Sequence, residues 1–122
     1  ITITTPATVT WANGDTIASP VVLPVGTRLL LGSYVSNSAM GASAVMNVGL
    51  RDLAGVAISA TAIASAIDMS AAARTLLANG AYVAAGIEYV TTVPSVVYAT
   101  FSGATPTANA QVHIDVFVAT AD

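Results

Sequence analysis

The chain contains no cysteine and no lysine. Without cysteine there is no disulfide framework, no thiolate metal site and no cysteine nucleophile. A single histidine, His113, excludes a multi-histidine metal centre. Charge is scarce: Arg28, Arg51 and Arg74 stand against Asp15, Asp52, Asp68, Glu88, Asp115 and Asp122, which is 7% of the chain and a net charge of −3. An ordinary soluble domain carries roughly 25% charged residues. Three arginines under a net negative charge cannot neutralise a phosphate backbone, so no nucleic-acid partner is expected. A polybasic membrane anchor fails for the same reason. Low hydrophobicity, the mark of disordered chains, is also missing, since 55% of the residues are hydrophobic.

Long hydrophobic runs are absent despite that content. Residues 29–50 carry no charge, yet Gly32, Ser33, Ser36, Asn37, Ser38, Gly41, Ser43 and Asn47 interrupt them. A spanning helix needs about 20 predominantly apolar residues, so no membrane segment is expected. Ile1-Thr2-Ile3-Thr4-Thr5-Pro6 has neither a basic start nor an apolar stretch and does not read as a signal peptide. The glycines at 26, 32, 41, 49 and 55 never form a G-x-G-x-x-G loop. There is no G-x-S-x-G, and Ser70-Ala71-Ala72-Ala73 lacks the lysine of S-x-x-K. No catalytic, cofactor-binding or metal-binding residue is assigned, and neither a cofactor nor an enzymatic activity is expected.

What is present is β-branched and broken into short pieces by Gly, Pro, Asn and Ser, a strand pattern. The 122 residues suit one domain, residues 1–122, with 1–11 as a Thr-rich extended arm. Asn13-Gly14 marks a turn. Residues 16–23 form a strand whose Pro20 implies an edge or a kink. Leu23-Pro24-Val25-Gly26 is a turn. Strands follow at 28–36 and 44–51, the latter with Met46, Val48 and Leu50 on one face. Arg51-Asp52-Leu53-Ala54-Gly55 turns the chain into a strand at 56–60. The alanine-rich stretch 57–66 fits helix or extended chain equally. Met69, Ala72, Ala73, Leu76 and Leu77 recur at helical spacing, with Asp68 or Ser70 as N-cap and Gly80 as a left-handed terminator, so a short helix is expected over 70–79. Strands are expected again at 82–92, 96–102 and 111–118. In the last, Val112, Ile114, Val116 and Val118 share one face and Gln111, His113, Asp115 and Phe117 the other. Eight or nine strands and one small helix describe an all-β antiparallel β-sandwich or jelly-roll-like domain.

A monomer of this mass exposes roughly 6,000 Å², so nine charges leave about 650 Å² per charge. The expectation is an obligate oligomer, since such interfaces resemble a core cut open. His113 and Asp115, two apart on one strand, lie roughly 6–7 Å apart along it. A functional reading makes Asp115 the orienter of a histidine base. The plainer reading, which the absence of a partner nucleophile favours, is a polar outer face or a subunit contact shared with Gln111 and Phe117. Interface candidates are therefore Gln111, His113, Asp115 and Phe117, together with Ile1, Ile3 and Trp11 of the arm. Glu88, between Ile87 and Tyr89, is expected to pair with an arginine, because an unpaired buried carboxylate is costly. Arg51-Asp52 is read as local charge compensation. Trp11, Tyr34, Tyr82, Tyr89 and Tyr98 can line a carbohydrate site but are ordinary packing residues at this frequency.

Several stretches resemble small virion proteins of tailed bacteriophages. They are Leu23-Pro24-Val25-Gly26-Thr27-Arg28-Leu29-Leu30-Leu31-Gly32, which enters a strand, Met40-Gly41-Ala42-Ser43 leading to Val48-Gly49, Ala81-Tyr82-Val83, and the closing hairpin from Val97-Tyr98-Ala99 to His113-Ile114-Asp115-Val116. The chain departs from the group at Arg51-Asp52-Leu53, where an Asp-Pro-Asp type turn is common. The resemblance implies a head decoration (cement) or knob-type β-domain, often a homotrimer. It would bind the major capsid protein on the virion surface after synthesis in the host cytoplasm. It implies no catalytic residue. The alternative is a fibre or spike module that binds a surface glycan.

Overall fold

The computed structural model describes residues 2–4, 14–83, 88–103 and 111–120. These residues are all-β, with antiparallel pairing throughout and no helix. Ten strands are formed: β1 (Thr2–Thr4), β2 (Thr16–Leu23), β3 (Arg28–Leu29), β4 (Tyr34–Asn37), β5 (Val45–Asp52), β6 (Ala57–Asp68), β7 (Ala73–Leu76), β8 (Ser95–Ser102), β9 (Val112–Asp115) and β10 (Val118–Ala119). They make one sheet in the order β1-β9-β4-β7, a second in the order β2-β8-β5-β6, and a two-stranded ribbon of β10 and β3.

The alternation in β5 sets the second sheet. Met46, Val48 and Leu50 are fully buried, as their spacing requires. Gly49 is buried too, and only glycine fits there, because a Cβ would overlap the Ser59 and Ala60 backbone on β6. The β5–β6 turn is tied by Asp52, whose Oδ1 accepts from Ala54 N–H and Val56 N–H, each at 2.9 Å. Gly55 supplies the left-handed residue at φ 87°. Pro20 does lie on an edge strand, and the β2–β8 register shifts between Ala18 and Val22 around it. Proline has no N–H to give the ladder, so the strand steps over it.

One buried cluster draws on both sheets: Val35, Val112 and Ile114 from the first, Met46, Leu50, Ile63, Val97 and Phe101 from the second. Each such side chain contributes about 1.5–3 kcal/mol on leaving water.

Four sequence expectations are corrected. The helix over 70–79 is replaced by β7, which pairs with β4 from Asn37↔Ala73 to Tyr34↔Leu76. Met69 and Leu77 are buried, but Ala71 to Arg74 are exposed, so no apolar stripe exists to dock a helix. Asp68 Oδ1 accepts from Ser70 N–H at 2.8 Å in a two-residue turn, and Asn37 Nδ2 donates to the Ala71 carbonyl at 3.0 Å, holding the chain extended. A helix this short has little stability of its own, and the edge of β4 outcompetes it. Gly80 is not a left-handed terminator; it sits where a Cβ would overlap the Ile63 backbone.

The strand expected over 28–36 splits into β3 and β4 at Gly32, which takes φ 102°. The strand over 111–118 splits likewise, because Phe117 N–H donates to Ser33 Oγ at 2.9 Å and Leu30 N–H to the Phe117 carbonyl at 2.9 Å, carrying the chain from the sheet into the ribbon. Among the described residues of the strand expected over 82–92, Val90 alone forms a ladder bridge, an isolated one to Arg28, and residues 84–87 lie outside the described residues. The ambiguous stretch 57–66 is strand, part of β6, with Ala66 in the left-handed region at φ 51°.

Candidate functional site

Residues directly opposite in an antiparallel ladder point to the same face. Pairing across β9, β4 and β7 places Asp115, Tyr34 and Leu76 in one row, and His113, Ser36 and Arg74 in the next. Val35, Val112 and Ile114 occupy the other, buried face. The sequence therefore builds a polar outer face by simple alternation.

On that face His113 Nε2 donates to Asp115 Oδ2 at 3.0 Å. The Tyr34 hydroxyl also donates to Asp115, and this bond, with smaller contributions from desolvation and the carboxylate charge, raises the Tyr34 pKa above its ordinary value. The Arg74 guanidinium lies 4.1 Å from the centre of the Tyr34 ring. Phe117 meets the same ring edge-on, with centroids 6.3 Å apart and planes at 85°. Phe117 is 45% exposed. Beside this cluster an open depression of about 370 Å³ is lined by Ser36, Asn37, Ser38, Gln111, Val112 and His113.

Four of the interface candidates, Gln111, His113, Asp115 and Phe117, are thus brought to one region. Ile3 pairs with Ile114 through the backbone of β1. The arm's first described residues add to this chain's own β9. Ile1 and Trp11 lie outside the described residues.

Tyr34 and Arg74 complete the cluster; the sequence offers Tyr34 only as a ring for a carbohydrate site and Arg74 only as one of three arginines. Tyr34 and Ser36 alternate on a strand and could have been read as neighbours of His113. Arg74 was hidden by the expected helix. Glu88 is exposed, so the burial argument for an arginine partner does not arise. Arg51 lies over the Tyr98 ring at 5.4 Å, while Asp52 holds the β5–β6 turn, so the two do not form a local ion pair. Tyr82 and Tyr89 stack at 4.0 Å with planes 15° apart, which desolvates Tyr89 and raises its pKa.

Chemically, the outer face offers a carboxylate that holds two donors, flanked by a ring that meets a guanidinium over its face and a half-exposed phenyl at right angles. That is a preformed polar and aromatic contact surface. Among the described residues no group of three or more His, Asp or Glu could hold a metal ion. Comparison of the chain with protein families, curated proteins and solved structures finds no match.

Proposed function

We propose that the chain is a structural protein of a bacteriophage virion: a β-sandwich or jelly-roll-like decoration domain that assembles as a homotrimer on the capsid surface and clamps neighbouring major capsid subunits. The observation that carries this reading is the exterior. Among the described residues eleven large hydrophobic side chains are exposed, from Val21 to Phe117. Among the same described residues only four charged ones, Arg28, Asp68, Arg74 and Glu88, are exposed. Part of the apolar surface is gathered at one corner, where Pro20, Val21, Val22, Pro24 and Val25 meet Val93 and Pro94 across the β2–β8 pairing. None of these seven residues is charged, and the corner is the surface assigned here to capsid subunits, which would bury it as obligate interfaces do. The expectation that the arm over residues 1–11 serves an interface is narrowed, because its described part, β1, pairs with the chain's own β9.

Electron microscopy of intact particles labelled with an antibody to this chain tests the reading. Label on the heads is expected; unlabelled particles beside abundant free protein overturn it. Light scattering that shows a monomer at micromolar concentration removes the homotrimer.

A second reading, a host-recognition module binding a surface glycan, draws on the exposed Phe117 beside Tyr34 and the polar depression next to them. Silence on a glycan array removes it.

A further inference from the structure

The sheet edges are guarded unequally. β2 carries Pro20 and a register shift. β6 is covered along its middle: Asn79 exchanges two hydrogen bonds with the Ser65 backbone, at 2.7 and 3.0 Å, while Ala81 and Tyr82 donate to the Thr61 and Ala62 carbonyls at 2.9 and 2.8 Å. β1, β3 and β10 are three or two residues long. Short strands, prolines, charged side chains, bulges and covering segments are the usual ways of blunting an edge.

β7 is longer, at four residues, and among the described residues no segment covers it, though it carries one charge, Arg74. It contains no proline and pairs regularly with β4 over all four residues. Leu77 N–H donates to the Ser33 carbonyl at 2.8 Å, which sets the alternation. Residues 73, 75 and 77 turn their backbone groups toward β4, and Arg74 and Leu76 turn theirs outward. Ala72, Ala73, Arg74 and Leu76 are all exposed, Leu76 at 61%.

We infer that β7 pairs with β7 of a second copy of this chain, antiparallel about a two-fold axis through Thr75, joining two four-stranded sheets into one of eight. The register is the one that pairs both outward residues of β7, Arg74 and Leu76, with each other. Centring on Thr75 sets Arg74 opposite the partner's Leu76 and Leu76 opposite the partner's Arg74, so the outward backbone groups meet in two doubly hydrogen-bonded pairs. It also sets Thr75 opposite the partner's Thr75, a favourable cross-strand pair. Centring on Arg74 would oppose two guanidinium side chains, which is unfavourable. The contact is isologous and closes on itself, so it does not propagate into a fibre. It does not rest on the virion reading. In a trimeric assembly it would link one trimer to another.

The absence of cysteine makes the test clean, since any introduced thiol is the only one. In the proposed register the two Thr75 Cα atoms form a non-hydrogen-bonded pair about 4.5 Å apart, within disulfide reach. Thr75→Cys should give a disulfide-linked dimer under mild oxidation, while Ala54→Cys, on the β5–β6 turn, should not. Leu76→Pro removes an outward N–H and should weaken the dimer at least about tenfold in sedimentation equilibrium, roughly the loss of one to two hydrogen bonds. A Thr75→Cys chain that cross-links no better than Ala54→Cys overturns the proposal. So does a folded Leu76→Pro chain with unchanged dissociation. If Leu76→Pro fails to fold, the cysteine pair decides alone.

Discussion

Gly80 lies against the backbone of Ile63 so closely that no side-chain carbon fits between them. This contact brings the segment after β7 onto β6 and lets Ala81 and Tyr82 bond to that strand. Gly80→Ala should destabilise the fold by about 1–3 kcal/mol through overpacking. Urea unfolding is the measurement, with a shifted midpoint and an unchanged slope expected.

Phe101 is 2% exposed and packs in the cluster shared by both sheets. Phe101→Ala should cost about 3–5 kcal/mol, the range for a large aromatic truncated in a core. Thermal unfolding of parent and variant gives the comparison. A loss below about 1 kcal/mol would contradict the burial.

Asp52 holds the β5–β6 turn through two backbone hydrogen bonds. Asp52→Asn keeps an acceptor oxygen and should change stability little, whereas Asp52→Ala should lose about 1–2 kcal/mol. Chemical denaturation of the pair separates the hydrogen bonds from the charge.

Tyr34 gives a pH signature. Its folded pKa is raised, chiefly by the bond to Asp115, so the folded state holds the phenolic proton more tightly than the unfolded state does. The associated stability is fully present below the ordinary tyrosine pKa of about 10 and is lost as pH rises through the folded value. Ultraviolet titration of the phenolates should lose a late-titrating step in Tyr34→Phe. The alkaline fall in the variant's melting temperature should also be shallower. Identical titrations of parent and variant would break the Tyr34–Asp115 assignment.

Where side chains differ in kind at every second residue, the fold was readable in advance. Met46-Asn47-Val48 in β5 and Val112-His113-Ile114-Asp115 in β9 alternate apolar with polar, and both strands are oriented as that pattern requires. β7 was illegible for the opposite reason. Ala71 and Ala72, which lead into it, and its first residue Ala73 present the same small methyl, so spacing there carries no information, and the pairing surface on β4 decides the conformation. Continuous apolar content also concealed two breaks. Nothing in Leu29-Leu30-Leu31 announces that the chain changes sheets there; the break depends on Phe117 and Ser33, far apart in sequence. The polar face was half visible: His113 and Asp115 came from one strand, while Tyr34 and Arg74 reach them only through pairing.

The prolines at 20, 24 and 94 have a thermodynamic consequence. Their rings fix the backbone at the apolar corner before anything touches it. A partner seated there would freeze few additional chain conformations. Its binding should show the negative heat-capacity change of dehydrated hydrocarbon, without the large opposing entropy of a loop that must order as it docks.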